Sequence, residues 1–179
     1  MSNIKTLWAS GFVNRWHRDP DPRLRNAMDL TAAHSQRVAV LCDQLFPGQR
    51  KGHIIAALYH DAAELMTGDV PYNAKRDWPM IAAALERAEE WFNDAHGIDP
   101  AWADDHAKVK LCDGLDAIMF AQMVAPDALM RDDFKAQIKG VLASASSLGV
   151  KDDVIDLIGA DFIANIAPKA YDAGELEGT

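Results

Sequence analysis

The sequence predicts an all-α fold, a single-domain helical bundle, on three observations. Apolar residues recur at three- and four-residue spacing along most of the chain. No segment sustains apolar–polar alternation, and no Asn-Gly hairpin signal occurs. At 179 residues the chain is long enough to bury one real core, and nothing in it reads as a dividing linker.

An opening helix is expected over about Ile4–Val13. Residues 17–23 carry two prolines within four positions and read as a turn. A second helix should follow Asp29 or Thr31, either of which can cap it, and run to about Phe46, where Pro47-Gly48 stops it. Its apolar stripe is Val38, Leu41, Cys42 and Leu45. A third helix, from about Arg50 to Met66, carries Ile54, Ile55, Ala57, Leu58 and Leu65, an apolar surface broad enough for a central position. Residues 67–73 read as a loop. Helices at about 78–95, 101–124, 127–147 and 151–166 follow, separated by Gly97–Pro100, Pro126 and Gly149. The domain therefore spans residues 1–168, and the small, acidic stretch 169–179 reads as a loose tail.

The net charge of −9 argues against binding a nucleic-acid polymer, which needs a basic surface, but leaves single nucleotides open. No apolar run reaches the roughly 18 residues that span a bilayer, and no signal-peptide pattern is evident. Cys42 and Cys112 sit in apolar-periodic segments with neither zinc-knuckle nor disulfide spacing, so they read as buried thiols in a reducing compartment. A cytoplasmic location is expected.

The chemistry concentrates in Ala57-Leu-Tyr-His60-Asp61-Ala-Ala-Glu64-Leu-Met-Thr-Gly68-Asp69-Val-Pro71. On a continuous helix Asp61 stands about 100° from His60 and Glu64 about 40° from it, so the three face one centre. Leu58, Ala62, Ala63 and Leu65 flank them, and ionisable groups on an apolar helix are seldom buried unless paired or metal-bound. A mononuclear site needs three or four protein ligands. His34 lies on the core side of the second helix with Val38 and Leu41, and Asp113 lies on an inward stripe between Val109 and Phe120. Asp116 shares that face and competes with Asp113. His53, two turns before His60, is expected near the helix start and partly solvated, and His17, His96 and His106 are expected on the surface. Two imidazoles with two carboxylates suit one divalent transition metal such as Zn, Co or Mn.

This set of residues resembles the HD-domain phosphohydrolase superfamily. Asn14-Arg15-Trp16, Ala33-His34-Ser35, His60-Asp61-Ala-Ala-Glu64, Thr67-Gly68-Asp69-Val-Pro71, Lys75 and Val109-Lys110-x-x-Asp113 together resemble the small bacterial 5′-deoxynucleotidases and, equally, the related phage deoxynucleoside triphosphate hydrolases. The resemblance implies an HD-type helical bundle with a divalent ion on His34, His60, Asp61 and Asp113. It implies that Glu64 is the acid/base for the attacking water and that Arg15 and Lys75 contact phosphate. Trp16 would pack on the sugar and disfavour a 2′-hydroxyl, and Asp69 would bind the 3′-hydroxyl. Two features depart from the pattern: Ala33 stands where such proteins usually carry Glu, and the segment between Trp16 and His34 is lengthened by Asp-Pro-Asp-Pro (19–22).

The expected activity is therefore hydrolysis of a deoxynucleotide, foremost a 5′-monophosphate. A dNTP triphosphohydrolase is the alternative within the class, with Arg18, Arg23, Arg25 and Arg76 as further cations, and a non-catalytic metal-containing module is the alternative outside it. A nuclease or cyclic-dinucleotide phosphodiesterase ranks lower, since neither a basic groove nor a second His set is evident. Apolar stripes on the last two helices point to a homo-oligomer.

Overall fold

A computed structural model of the chain describes residues 3–48, 51–98 and 106–166. Among them every regular element is a helix, and one isolated antiparallel bridge, Asn14 to Leu30, is the exception. The all-α expectation holds. The tail expected at 169–179 lies outside these residues, as does the start of the helix expected from 101. The chain divides into two compact units, Met1–Val109 and Lys110–Thr179.

In the first unit, α1 (Asn3–Ser10) leads into a segment stitched to the start of α3. Thr31 N–H donates to Val13 O at 2.9 Å, Arg15 N–H to Asp29 O at 2.9 Å, and Ala32 N–H to Gly11 O at 3.1 Å. A side chain at Gly11 would bring a Cβ to 3.1 Å from that of Ala32, which accounts for glycine at this crossing. The proline-rich stretch is a folded element: Asp21 caps the short helix α2 (Pro22–Arg25), its carboxylate accepting from Arg23 N–H, and Leu24 is fully buried.

Helix α3 (Thr31–Leu45) buries Thr31, His34, Ser35, Val38, Ala39 and Cys42, a stripe at three- and four-residue spacing. The stripe is rotated from the expected one, since Leu41 and Leu45 are only half-buried. Neither expected cap acts as one. Leu30 holds the N-cap position without a side-chain hydrogen bond, the Thr31 hydroxyl donates to Val13 O at 2.9 Å, and Asp29 is committed to arginines.

Helix α4 (Lys51–Tyr59) packs on α3 and ends before the chemistry begins. Ile55 and Leu58 are 39% and 48% exposed, so this helix has one solvent face and is not central as expected. Residues 60–63 form a tight turn with bonds from Ala62 N–H to Tyr59 O and from Glu64 N–H to Asp61 O, before α5 (Glu64–Thr67). Ala62 and Ala63 pack with Phe92 and Ile98, with Leu7 and Tyr59 against them, which anchors the turn. Then come α6 (Tyr72–Asp77) and α7 (Pro79–His96), ended by Gly97 in the left-handed region.

Helix α8 (His106–Val124) begins in the first unit and runs on through Lys110 into the second. A 3₁₀ turn (Pro126–Met130), α9 (Asp132–Ser147), α10 (Lys151–Ile158) and α11 (Ala160–Ile166) complete the second unit. Gly159 splits the helix expected at 151–166, at a φ of +97° that other residues rarely adopt. At Gly114 an added Cβ would stand 2.8 Å from Val141 Cγ2, so glycine permits close approach of α8 and α9. Cys42 and Cys112 are buried and form no disulfide among the described residues, as expected.

Candidate metal centre

The turn at 60–63 is what builds the site. Bonds between residues three apart bring side chains at that spacing into register, so Asp61 and Glu64 eclipse more closely than on an α-helix. His60 Nδ1 stands 2.7 Å from Ala57 O. Donating there fixes the tautomer and turns the lone pair of Nε2 toward His34.

Three atoms then meet. His34 Nε2 lies 3.1 Å from His60 Nε2 and 3.3 Å from Asp61 Oδ2, and His60 Nε2 lies 3.2 Å from the same oxygen. Ligands held by a tetrahedral ion at ~2.0–2.1 Å stand about 3.3 Å from each other. The triangle therefore matches one face of such a coordination sphere. Asp113, one turn beyond Val109 on α8, completes a set of four: His34, His60, Asp61 and Asp113 each offer a ligand atom, all within 4.8 Å of one another. This group can hold a metal ion. Asp116, the rival on the same helix, is buried but does not belong to the set.

Burial works against the charge on Asp61, but the His60 and His34 imidazoles outweigh it and hold its carboxyl well below the usual range. Glu64 responds in the opposite sense. Burial, then the negative charges of Asp61 and Asp69, push its carboxyl up to about 8, against the pull of Arg15 and Lys75. Its Oε2 is buried without a hydrogen-bond partner. A carboxyl that exchanges its proton near neutrality beside a ligand cluster has the character of a general acid or base.

The remaining residues fall at graded distances from this centre. Arg15 is buried and Lys75, on α6, is exposed, and the charges of both reach Glu64. Asp69 Oδ2 accepts from the backbone N–H of Trp16 at 2.9 Å, and Trp16 sits at a φ of +64°. Arg23 binds Asp21 and Arg76 binds Asp77, each through two nitrogens. His53 corrects the expectation of partial solvation: it is 1% exposed and neither ring nitrogen has a partner. His106 is exposed, while His17 and His96 are half-buried, with His17 Nδ1 3.1 Å from Asn14 O and His96 closing α7 against Phe92 and Asn3.

Comparison with family models, with curated proteins and with solved structures returned no match.

Sequence reasoning read Asp29 only as a helix cap and passed over Arg37, and both matter here. Arg37, whose side chain is a third exposed, forms an ion pair with the buried Asp29, which also engages Arg15 and Trp16. Their eight-residue spacing was the sole signal for the pair, and nothing along the chain linked it to Arg15.

Proposed function

We propose that this chain is a metal-dependent phosphohydrolase of the HD-domain type acting on deoxynucleotides, with 5′-monophosphates as its foremost substrates. The observation that carries the reading is the triangle of His34, His60 and Asp61 donor atoms with the Glu64 carboxyl, one oxygen buried without a hydrogen-bond partner, three residues beyond Asp61. A purely structural metal site has no use for that extra carboxyl.

His34, His60, Asp61 and Asp113 would hold a divalent ion such as Zn, Co or Mn, which would supply a Lewis acid for a phosphoryl oxygen and lower the pKa of water. Glu64 takes the proton of the attacking water and returns one to the leaving oxygen. Arg15 and Lys75 bind the phosphate oxygens, Arg15 being suited to two-point contact. Asp69 accepts from the 3′-hydroxyl, and the Trp16 ring packs on the sugar face where a 2′-hydroxyl would stand.

No helix among the described residues is long and apolar enough to cross a membrane. A cytoplasmic homo-oligomer is part of the same reading. The exposed stripe of Ile4, Trp8 and Phe12, with the Trp8 and Phe12 rings 4.8 Å apart, supports the oligomer.

Incubating metal-loaded protein with each dNMP and dNTP, and identifying the phosphate species released, tests the reading. Inorganic phosphate from monophosphates is expected. Triphosphate release from dNTPs would reassign the substrate, and no turnover of either would overturn the function.

A further inference from the structure

A second polar cluster is centred on Asp29 and Arg37, to which the reaction above gives no part. Asp29 is 2% exposed and accepts four contacts. Trp16 Nε1–H donates to its Oδ2 at 3.0 Å, Arg15 Nη1 reaches the same oxygen at 3.4 Å, and Arg37 Nη2 lies 2.9 and 3.1 Å from Oδ1 and Oδ2. A carboxylate this deep is unfavourable unless donors fill its lone pairs, and here they do.

The donors are unusual for a purely structural pair. Two of the three are adjacent residues tied to Glu64 as well: the Arg15 charge acts on it directly, and the Trp16 N–H binds Asp69, whose charge does the same. Trp16 is gripped at both ends, its indole by Asp29 and its backbone N–H by Asp69, in a left-handed conformation that a non-glycine residue holds only when its surroundings determine it. The Arg15 guanidinium lies 5.5 Å from the Trp16 ring centroid, so the two side chains also brace each other. Arg37, whose side chain is a third exposed, makes the shorter contacts to Asp29 and anchors the carboxylate from the solvent side.

We propose that Asp29, backed by Arg37, is a positioning residue that fixes the Arg15 guanidinium and the Trp16 ring for nucleotide binding, and so sets the preference for deoxyribose over ribose. This rests on the deoxynucleotide reading. Asp29 makes its side-chain contacts to Arg15, Trp16 and Arg37, and none of these is in the metal set, so its loss should act on substrate affinity and sugar selection more than on the chemical step.

The test uses the full chain in two variants, Asp29→Asn and, at the more exposed partner, Arg37→Gln. Steady-state kinetics on a deoxynucleoside monophosphate and the matching ribonucleotide should show KM raised about tenfold in Asp29→Asn, the scale of a charged hydrogen bond, with a narrowed deoxy-to-ribo ratio and a smaller change in kcat. Arg37→Gln should move the same quantities in the same direction by less. An activity-independent arm follows the Trp16 indole N–H resonance in ¹⁵N-labelled protein, assigned by its absence from Trp16→Phe. It should shift in both variants. An unmoved resonance overturns the positioning, as does an unchanged sugar preference with an equal fall in kcat. Wild-type protein that hydrolyses no deoxynucleotide overturns the functional reading and the substrate half of this proposal, while the resonance still decides whether Asp29 positions Trp16.

Discussion

Asp29 and Asp61 lie in the same unit, and each carboxylate is ringed by nitrogen atoms, yet the nitrogens differ in kind. Asp29 receives guanidinium and indole N–H groups, all of them donors, and its surroundings close on themselves. Asp61 faces two imidazoles whose Nε2 atoms also face each other, and Glu64 stands by with a buried oxygen that nothing bonds. Neutral imidazole can offer a lone pair where guanidinium cannot. The first carboxylate is satisfied by protein donors alone. The second is complete only with a cation or a proton. Depth of burial alone does not separate a supporting carboxylate from a reactive one; the protonation chemistry of its neighbours does.

The comparison can be broken most severely at His60. His60→Ala should lower kcat/KM by at least about 10³, as loss of several kcal/mol of charge stabilisation requires, and metal content measured by elemental analysis should fall below one per chain. Stoichiometric metal with full activity in that variant would mean that the open cluster is not the centre.

Glu64→Gln should cost about 10²–10⁴ in kcat with metal content unchanged. The same variant carries a stability signature in metal-free protein. Because the folded Glu64 pKa lies near 8, above its ordinary 4.5, its contribution is fully present below about 4.5 and is lost as pH rises through 8. Denaturant melts should show wild-type stability declining over that window and Glu64→Gln escaping the decline, by on the order of 2–4 kcal/mol at the alkaline end. Asp61 has the opposite sign, its contribution being present above 3.8 and lost as pH falls below it.

Metal removal sharpens the contrast further. Chelation should lower the wild-type melting temperature, with about 2.7 kcal/mol restored when metal is returned at a hundredfold over its dissociation constant. The Trp16 indole resonance, held in the closed cluster, should hardly move.

Much of this was legible along the chain, and the failures share a cause. Periodicity identified the helices and put His34 with Val38 on a buried face, because a helix repeats its geometry every turn. The same assumption of a regular helix misjudged residues 60–63, where bonds between residues three apart replace the α-helical pattern, and 151–166, where Gly159 breaks the rod. His53 looked solvated because its position near the start of α4 said nothing of what covers it. Asp29 looked like a cap because local chemistry favours that role, whereas the arginines that claim it come from Arg15, fourteen residues earlier, and Arg37, eight residues later. Pairings of that kind are fixed by the fold and leave little trace in a linear pattern.

The backbone bonds joining residues 11–15 to 29–32 have a consequence for how such a protein can change. They cinch the chain at a neck, so that residues 16–28 leave and return at nearly the same point. Doubling the length of a loop closed this way adds only about 0.6 kcal/mol of closure entropy. Insertions at exposed positions beyond the neck, such as Arg18 and Pro20, are therefore cheap for the fold, whereas a deletion that takes Leu24 is not. Such lengthening leaves His34, His60 and Asp61 where they are, so the segment can vary while the candidate metal centre stays fixed.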